Sequence, residues 1–167
     1  DFVTIGYNER FDLLACIDTL QKLHYTKIGA QGHSLGAATI AYSFKDFSDY
    51  SFVVLESCYD NIDHAFKHRM QRMHLPAWLM FPVKKFAEMR LGISSQELYP
   101  ENYMAKINCP ALFLCGDNEW QNPIAESKKL YDNCSSSKKY FHIFKGAAHQ
   151  DFLNYSAVNA QDAGREI

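Results

Sequence analysis

Ser34 stands in Gly32-His33-Ser34-Leu35-Gly36, a small polar residue between two glycines. The run "TKIGAQ" precedes it with strand character, and "LGAATIAYSF" follows as a helix of small residues. A strand that turns sharply into a helix drives its central residue into a strained backbone conformation. Neighbours two positions away must then be tiny, a need that Gly32 and Gly36 meet. The turn is expected to thrust the Ser34 hydroxyl above the strand end. The Leu35 backbone N–H, at the start of the helix, is placed to help hold an oxyanion. A serine hydroxyl is a weak nucleophile without a base, and the base needs an acid to orient it.

Both partners are present downstream. His149 lies in "FKGAAHQDF", where Gly146, Ala147 and Ala148 leave room for a loop that carries the imidazole. The acid is expected in "LFLCGDNEWQNP". Asp117 and Glu119 both qualify. The remaining histidines read differently. His142 falls inside a strand pattern, and His24 ends a helix, where its charge suits the dipole. His33 is expected to pack beside the serine. His64 and His68 lie four apart on one helix face, a spacing that can bind zinc. No glutamate stands between them and no third ligand is evident, so they read as a solvated face and no metal is expected.

Alternating elements must position these groups. Strands are predicted near residues 26–31, 51–57, 110–115 and 139–144. Helical spacing runs through "NERFDLLACIDTLQKL", with Asn8 as a candidate cap and Glu9 and Asp12 near the positive end of the dipole. "PIAESKKLYDNC" reads as a helix opened by Pro123. Strands that alternate with helices imply an α/β fold, a mostly parallel sheet with helices on its faces.

Composition narrows the classes. A chain of 167 residues suffices for one domain. A net charge of −2 and scattered basic residues give no sign of a nucleic-acid partner. No apolar run is long enough for a membrane span. The cysteines are odd in number and widely spaced, which points to a reducing compartment and a cytoplasmic location. The start, "DFVTIGYNERF", lacks an initiator methionine and begins mid-pattern, so a signal or anchor upstream is compatible with it.

With these residues in place, the chain resembles the α/β-hydrolase superfamily, in its serine-hydrolase branch of esterase-like and prolyl-oligopeptidase-like members. The resemblance covers nearly the whole chain and corresponds to the C-terminal two-thirds of such a domain. It implies a nucleophile elbow at Ser34 and a catalytic triad in the order Ser, acid, His. Many members end the acid strand in Gly-x-x-Asp with a proline four residues on. Gly116, Glu119 and Pro123 keep that register, which favours Glu119 over Asp117. A few members draw the acid from the preceding strand, which makes Asp60, after "SFVVLESCY", a third candidate. The resemblance further implies a helical cap inserted at about residues 61–108, roofing the serine with Met and aromatic surface. His33, Trp78 and Phe81 are then candidate substrate contacts. The implied activity is hydrolysis of carboxylic esters or related acyl bonds on small-molecule substrates, with no cofactor. A serine peptidase of the prolyl-oligopeptidase type and a catalytically silent binding module are the alternatives. The first strands of the fold, and the loop that supplies a second oxyanion donor, have no counterpart here. The chain therefore reads as a truncated domain lacking its N-terminal half, with the serine strand beside an unpaired edge.

Overall fold

The computed structural model describes residues 3–149 and Phe152. Four strands form one sheet: β1 (Gly29–His33), β2 (Phe52–Glu56), β3 (Ala111–Gly116) and β4 (Lys139–Phe144). They lie in chain order, β1-β2-β3-β4, and every pairing is parallel. Each falls within a few residues of its predicted window. β1 starts later than expected and runs up to His33, so the chain leaves the strand directly at Ser34.

The helices that accompany the sheet include α1 (Arg10–Lys22), α2 (Leu35–Ser43), α3 (Ile62–Arg72), α4 (Met80–Leu91) and α5 (Ile124–Asn133). Pro123 is the N-cap of α5. Helix α1 begins at Arg10, with Glu9 rather than Asn8 at its cap position and no side-chain capping bond. The Glu9 carboxylate instead gathers the Thr4 and Gly6 backbone N–H groups and the Thr4 hydroxyl. The first-turn N–H groups of Phe11 and Asp12 reach the backbone carbonyls of Asn8 and Glu9 instead of a capping side chain.

The core lies between one sheet face and the helices. Val53, Leu55, Ala111, Phe113 and Cys115 are buried there. Ala37, Ala38 and Ala41 are fully buried on α2, and their small side chains let the helix settle onto β1 and β2. The ring of Tyr131 from α5 meets Phe113 edge-on at 5.8 Å. Burying a side chain such as Leu55 or Phe113 stabilises the fold by roughly 1.5–3 kcal/mol. The other face is more open: Phe52 and Tyr140 are exposed. Helix α1 packs on α2 rather than on the sheet. Among the described residues, then, helices cover one face more fully than the other.

Among the described residues, strand β1 pairs with β2 alone. A groove of 370 Å³ runs beside it, lined by Leu13, Ile17 and Leu20 of α1 and by Gly29, Gly36 and Ile40. The connection from β2 to β3 holds α3, α4 and three short 3₁₀ segments. Helix α3 is anchored by buried Ile62 and Ala65. Helix α4 buries no residue, and Phe81, Val83, Phe86 and Met89 are exposed on it. Among the described residues no helix is long and apolar enough to cross a membrane.

Candidate active site

In a parallel sheet every strand delivers its chain to the same edge, and ligands bind outside the carboxyl ends. Ser34 follows β1, Ser57 and Asp60 follow β2, Asp117 and Glu119 follow β3, and His149 follows β4. The strand ladder continues one step into these loops. Ser34 N–H donates to Glu56 O at 2.8 Å, Ser57 N–H to Leu114 O at 2.8 Å, and Asp117 N–H to Phe144 O at 3.2 Å.

Ser34 adopts φ 53° and ψ −111°, a conformation outside the allowed regions for a residue with a side chain. Gly32 makes it possible. A Cβ on Gly32 would stand 2.4 Å from the Gly36 carbonyl carbon and 2.7 Å from Ala37 N. Gly36 differs from expectation, because a Cβ there meets nothing within 4 Å. The crowding at this turn is one-sided: the strand residue collides with the helix backbone, and the helix residue faces the open groove beside β1. The Ser34 hydroxyl makes no capping bond to α2. Leu35 is the first helical residue, so its N–H belongs to the helix turn without intrahelical partners.

The loops after β3 and β4 are laced together. Gly116 lies under the Ala147 backbone. Asn118 N–H donates to Ala147 O at 3.0 Å, and Ala147 N–H to Phe144 O at 3.3 Å. Gly146, at φ 74°, donates its N–H to Asp117 Oδ1 at 2.5 Å. Asp117 is thus occupied in holding the histidine loop, while the imidazole meets the other carboxylate. His149 Nδ1 lies 3.1 Å from Glu119 Oε2.

The Glu119 side chain is wholly buried, and that of His149 nearly so. The other oxygen, Glu119 Oε1, accepts from Gly116 N–H at 3.0 Å and from the Ser57 hydroxyl. Ser57 is itself at positive φ, 47°, and its carbonyl accepts from the Asn122 amide. Ser57 and Asn122 were not picked out in the sequence. Their only signal there was position, one at the end of a strand and one just before a helix.

The His33 ring packs on the His149 ring with centroids 4.6 Å apart. Burial foremost, then the nearby His149, holds the His33 imidazole below the ordinary histidine range. Its Nε2 is buried without a hydrogen-bond partner. No hydrogen bond joins Ser34 to His149 among the described residues. The buried thiols near the site stay protonated. Burial, with Glu119 adding to it, pushes Cys115 up to about 11, and burial raises Cys58 further.

A pocket of 230 Å³ opens beside Ser34 and Leu35, lined by Ile5, Tyr59, Ile62, Ala65, Phe66 and Arg69. Trp78 and Phe81 are not among its lining residues and are 71% and 77% exposed. The apolar wall comes from α3, because that helix is anchored by Ile62 and Ala65 while α4 buries nothing. Asp60 does not meet His149. It is buried beside His64, whose Nδ1 is 3.0 Å from both of its carboxylate oxygens. His68 Nε2 bonds Glu126 of α5. The two histidines therefore face buried carboxylates rather than solvent alone, a grouping invisible in the sequence because Glu126 is 58 residues from His68.

No protein-family model matches the chain. It is 26% identical over 150 residues to the uncharacterized protein YqkD of Bacillus subtilis (strain 168), a match spanning 86% of this chain and 49% of that protein. The chain thus spans about half the length of the curated relative it matches. Its fold is similar to the Pyrococcus furiosus esterase Pf2001, with a TM-score of 0.72, 20% identity, and coverage of 98% of this chain and 62% of that one. The Pyrococcus horikoshii acylaminoacyl peptidase gives a TM-score of 0.69 at 16% identity, covering 95% of this chain and 28% of that one. The monoacylglycerol lipase of Paleococcus ferrophilus gives 0.58 at 19% identity, over 93% of this chain and 76% of that one. The parallel sheet and flanking helices of this chain are those of an α/β-hydrolase fold, of which it spans a part.

Proposed function

We propose that Ser34, His149 and Glu119 act as nucleophile, base and orienting acid of a serine hydrolase that cleaves carboxylic esters or related acyl bonds. The observation that carries this reading is the pairing of Glu119 with His149 at 3.1 Å, on loops beside a strained serine turn. Glu119 accepts the His149 Nδ1–H and keeps Nε2 free as a base. Ser34 Oγ attacks the acyl carbon as His149 takes its proton. The Leu35 N–H supports the charge that develops on the acyl oxygen. His149 then protonates the leaving group, and water repeats the sequence on the acyl-enzyme. Serine–base contacts are often long before substrate arrives and tighten in the reacting complex.

The lining of the pocket by Ile5, Ile62, Ala65 and Phe66 suits a small apolar acyl group. In this reading the β2–β3 connection is a cap over the serine, with α3 as the wall that touches substrate. A second reading, a serine peptidase, has the likeness to the acylaminoacyl peptidase fold in its favour. The substrate is a small molecule in the first case and a peptide in the second. Labelling of the full-length protein with a fluorophosphonate probe tests the shared chemistry. The expected result is one modified residue, Ser34, with labelling abolished in Ser34→Ala. A folded protein that takes no label favours a catalytically silent module. Turnover of p-nitrophenyl acyl esters against acylated peptide amides separates esterase from peptidase.

A further inference from the structure

We propose that Asp60, His64 and Glu126, with His68 bonded to Glu126, form a binding site for a divalent transition metal, zinc foremost. One ligand atom from each of Asp60, His64 and Glu126 lies within 4.8 Å of the others. His64 Nδ1 is 3.0 Å from Asp60 Oδ2 and 3.7 Å from Glu126 Oε1. Zinc bonds of ~2.0–2.2 Å in a tetrahedral shell set its ligand atoms roughly 3.4 Å apart. The two separations bracket that value, and the Asp60 and Glu126 ligand atoms lie within 4.8 Å of each other. His68 Nε2 bonds the same Glu126 oxygen from outside that three-residue group and orients it, as an outer partner does for a metal-binding carboxylate. One imidazole with two carboxylates, the fourth position left to water, makes a donor set that suits zinc.

The charges favour a cation. The Asp60 side chain is 1% exposed and the Glu126 side chain 10%. Glu126 Oε1 faces both histidines, and its other oxygen, Oε2, is buried without a hydrogen-bond partner. Asp60 is balanced by Lys129, whose Nζ is 3.2 Å from Oδ2 and which also pairs with Glu101. The Lys129 and His64 side chains are 45% and 43% exposed, so the ammonium has room to swing out toward Glu101 and water as a metal enters. Asn61 also faces the group. Its backbone N–H donates to Asp60 Oδ1 at 2.7 Å, and its amide nitrogen is 3.1 Å from His64 Nδ1. Binding replaces the proton on His64 Nδ1 with the metal, and that proton leaves to solvent.

The site would join three elements. Asp60 comes from the loop after β2, His64 and His68 from α3, and Glu126 from the first turn of α5. Residues on another side of α3, Ile62, Ala65, Phe66 and Arg69, line the pocket beside Ser34. A metal here clamps that wall to the body of the fold. The proposal stands whether or not the pocket hydrolyses acyl bonds.

The test is titration of chelator-treated, metal-free full-length protein with zinc chloride against a chromogenic chelator. One zinc per chain is expected, with affinity at least ~10-fold weaker in each of His64→Gln and His68→Gln. His142→Gln and Cys16→Ser, at exposed positions outside the cluster, should bind as the wild type does. Zinc should also raise the melting temperature of the wild type. Zinc-edge X-ray absorption of the loaded wild type needs no variant and should show imidazole with oxygen and no sulfur. Failure to bind a stoichiometric zinc, affinity unchanged in both histidine variants, or a thiolate shell would each overturn the assignment.

Discussion

Gly116 lies so close beneath Ala147 that a Cβ on the glycine would stand 2.1 Å from the Ala147 carbonyl oxygen. The contact is backbone to backbone, so no rotamer change can relieve it. It brings the end of β3 against the loop after β4, and with it Glu119 against His149.

Gly116→Ala should therefore act at a distance. The alanine must push the Ala147 loop outward, at a cost of about 1–3 kcal/mol from overpacking. His149 moves with the loop. Under the proposed chemistry, fluorophosphonate labelling of Ser34 should slow strongly while far-UV circular dichroism stays native. A variant that labels at the wild-type rate would show that the close approach does not position the imidazole.

Glu119 and Asp117 should separate cleanly. Glu119→Gln keeps the shape of the side chain but presents an amide to His149 Nδ1, upsetting the tautomer. Ester turnover is expected to fall about 10^3–10^4-fold. Asp117→Ala removes the acceptor for Gly146 N–H and should cost about 1 kcal/mol of stability, with turnover largely kept. Steady-state kinetics and urea midpoints on the two variants read the difference. The reverse ranking would transfer the acid role to Asp117.

His33 predicts a pH effect on stability. Its folded-state pKa is lowered, by burial first and by His149 next. Unfolded, it titrates near ~6.5. As pH falls through that value the unfolded chain gains a proton that the folded chain resists, so stability is lost toward acid. The loss ends once pH drops below the folded-state pKa, where both states carry the proton. His33→Gln removes this slope. Urea midpoints for wild type and variant, measured from neutral to mildly acidic pH, should diverge on the acid side. Parallel curves would mean that the buried ring contributes nothing to the acid sensitivity.

Much of this molecule is legible along the chain. Strand windows followed from apolar runs bounded by turn residues, because each strand is short and continuous in sequence. The Ser34 turn was readable for the same reason: Gly32 meets Gly36 and Ala37 across Ser34 within a single turn. The register of Gly116, Glu119 and Pro123 pointed to the carboxylate that meets His149. Local rules failed where a longer contact prevailed. Nothing within the pentapeptide says that Gly36 faces open space while Gly32 is crowded by backbone. Nothing in "NERF" says that Glu9 is drawn to Thr4 and Gly6, leaving Asn8 without the capping role.

Tertiary structure decided what distance in sequence conceals. Trp78 and Phe81 suggested a substrate wall by type alone, yet the pocket beside Ser34 is lined by Ile62, Ala65, Phe66 and Arg69 of α3. Ser57 supports Glu119 only because β2 and β3 are neighbours in the sheet. His64 and His68 were an ordinary helical pair until the fold set Asp60 below them and brought Glu126 across from α5. Periodicity fixes which face of a helix a side chain occupies. What that face meets depends on how the sheet orders its strands and where the crossovers return the chain.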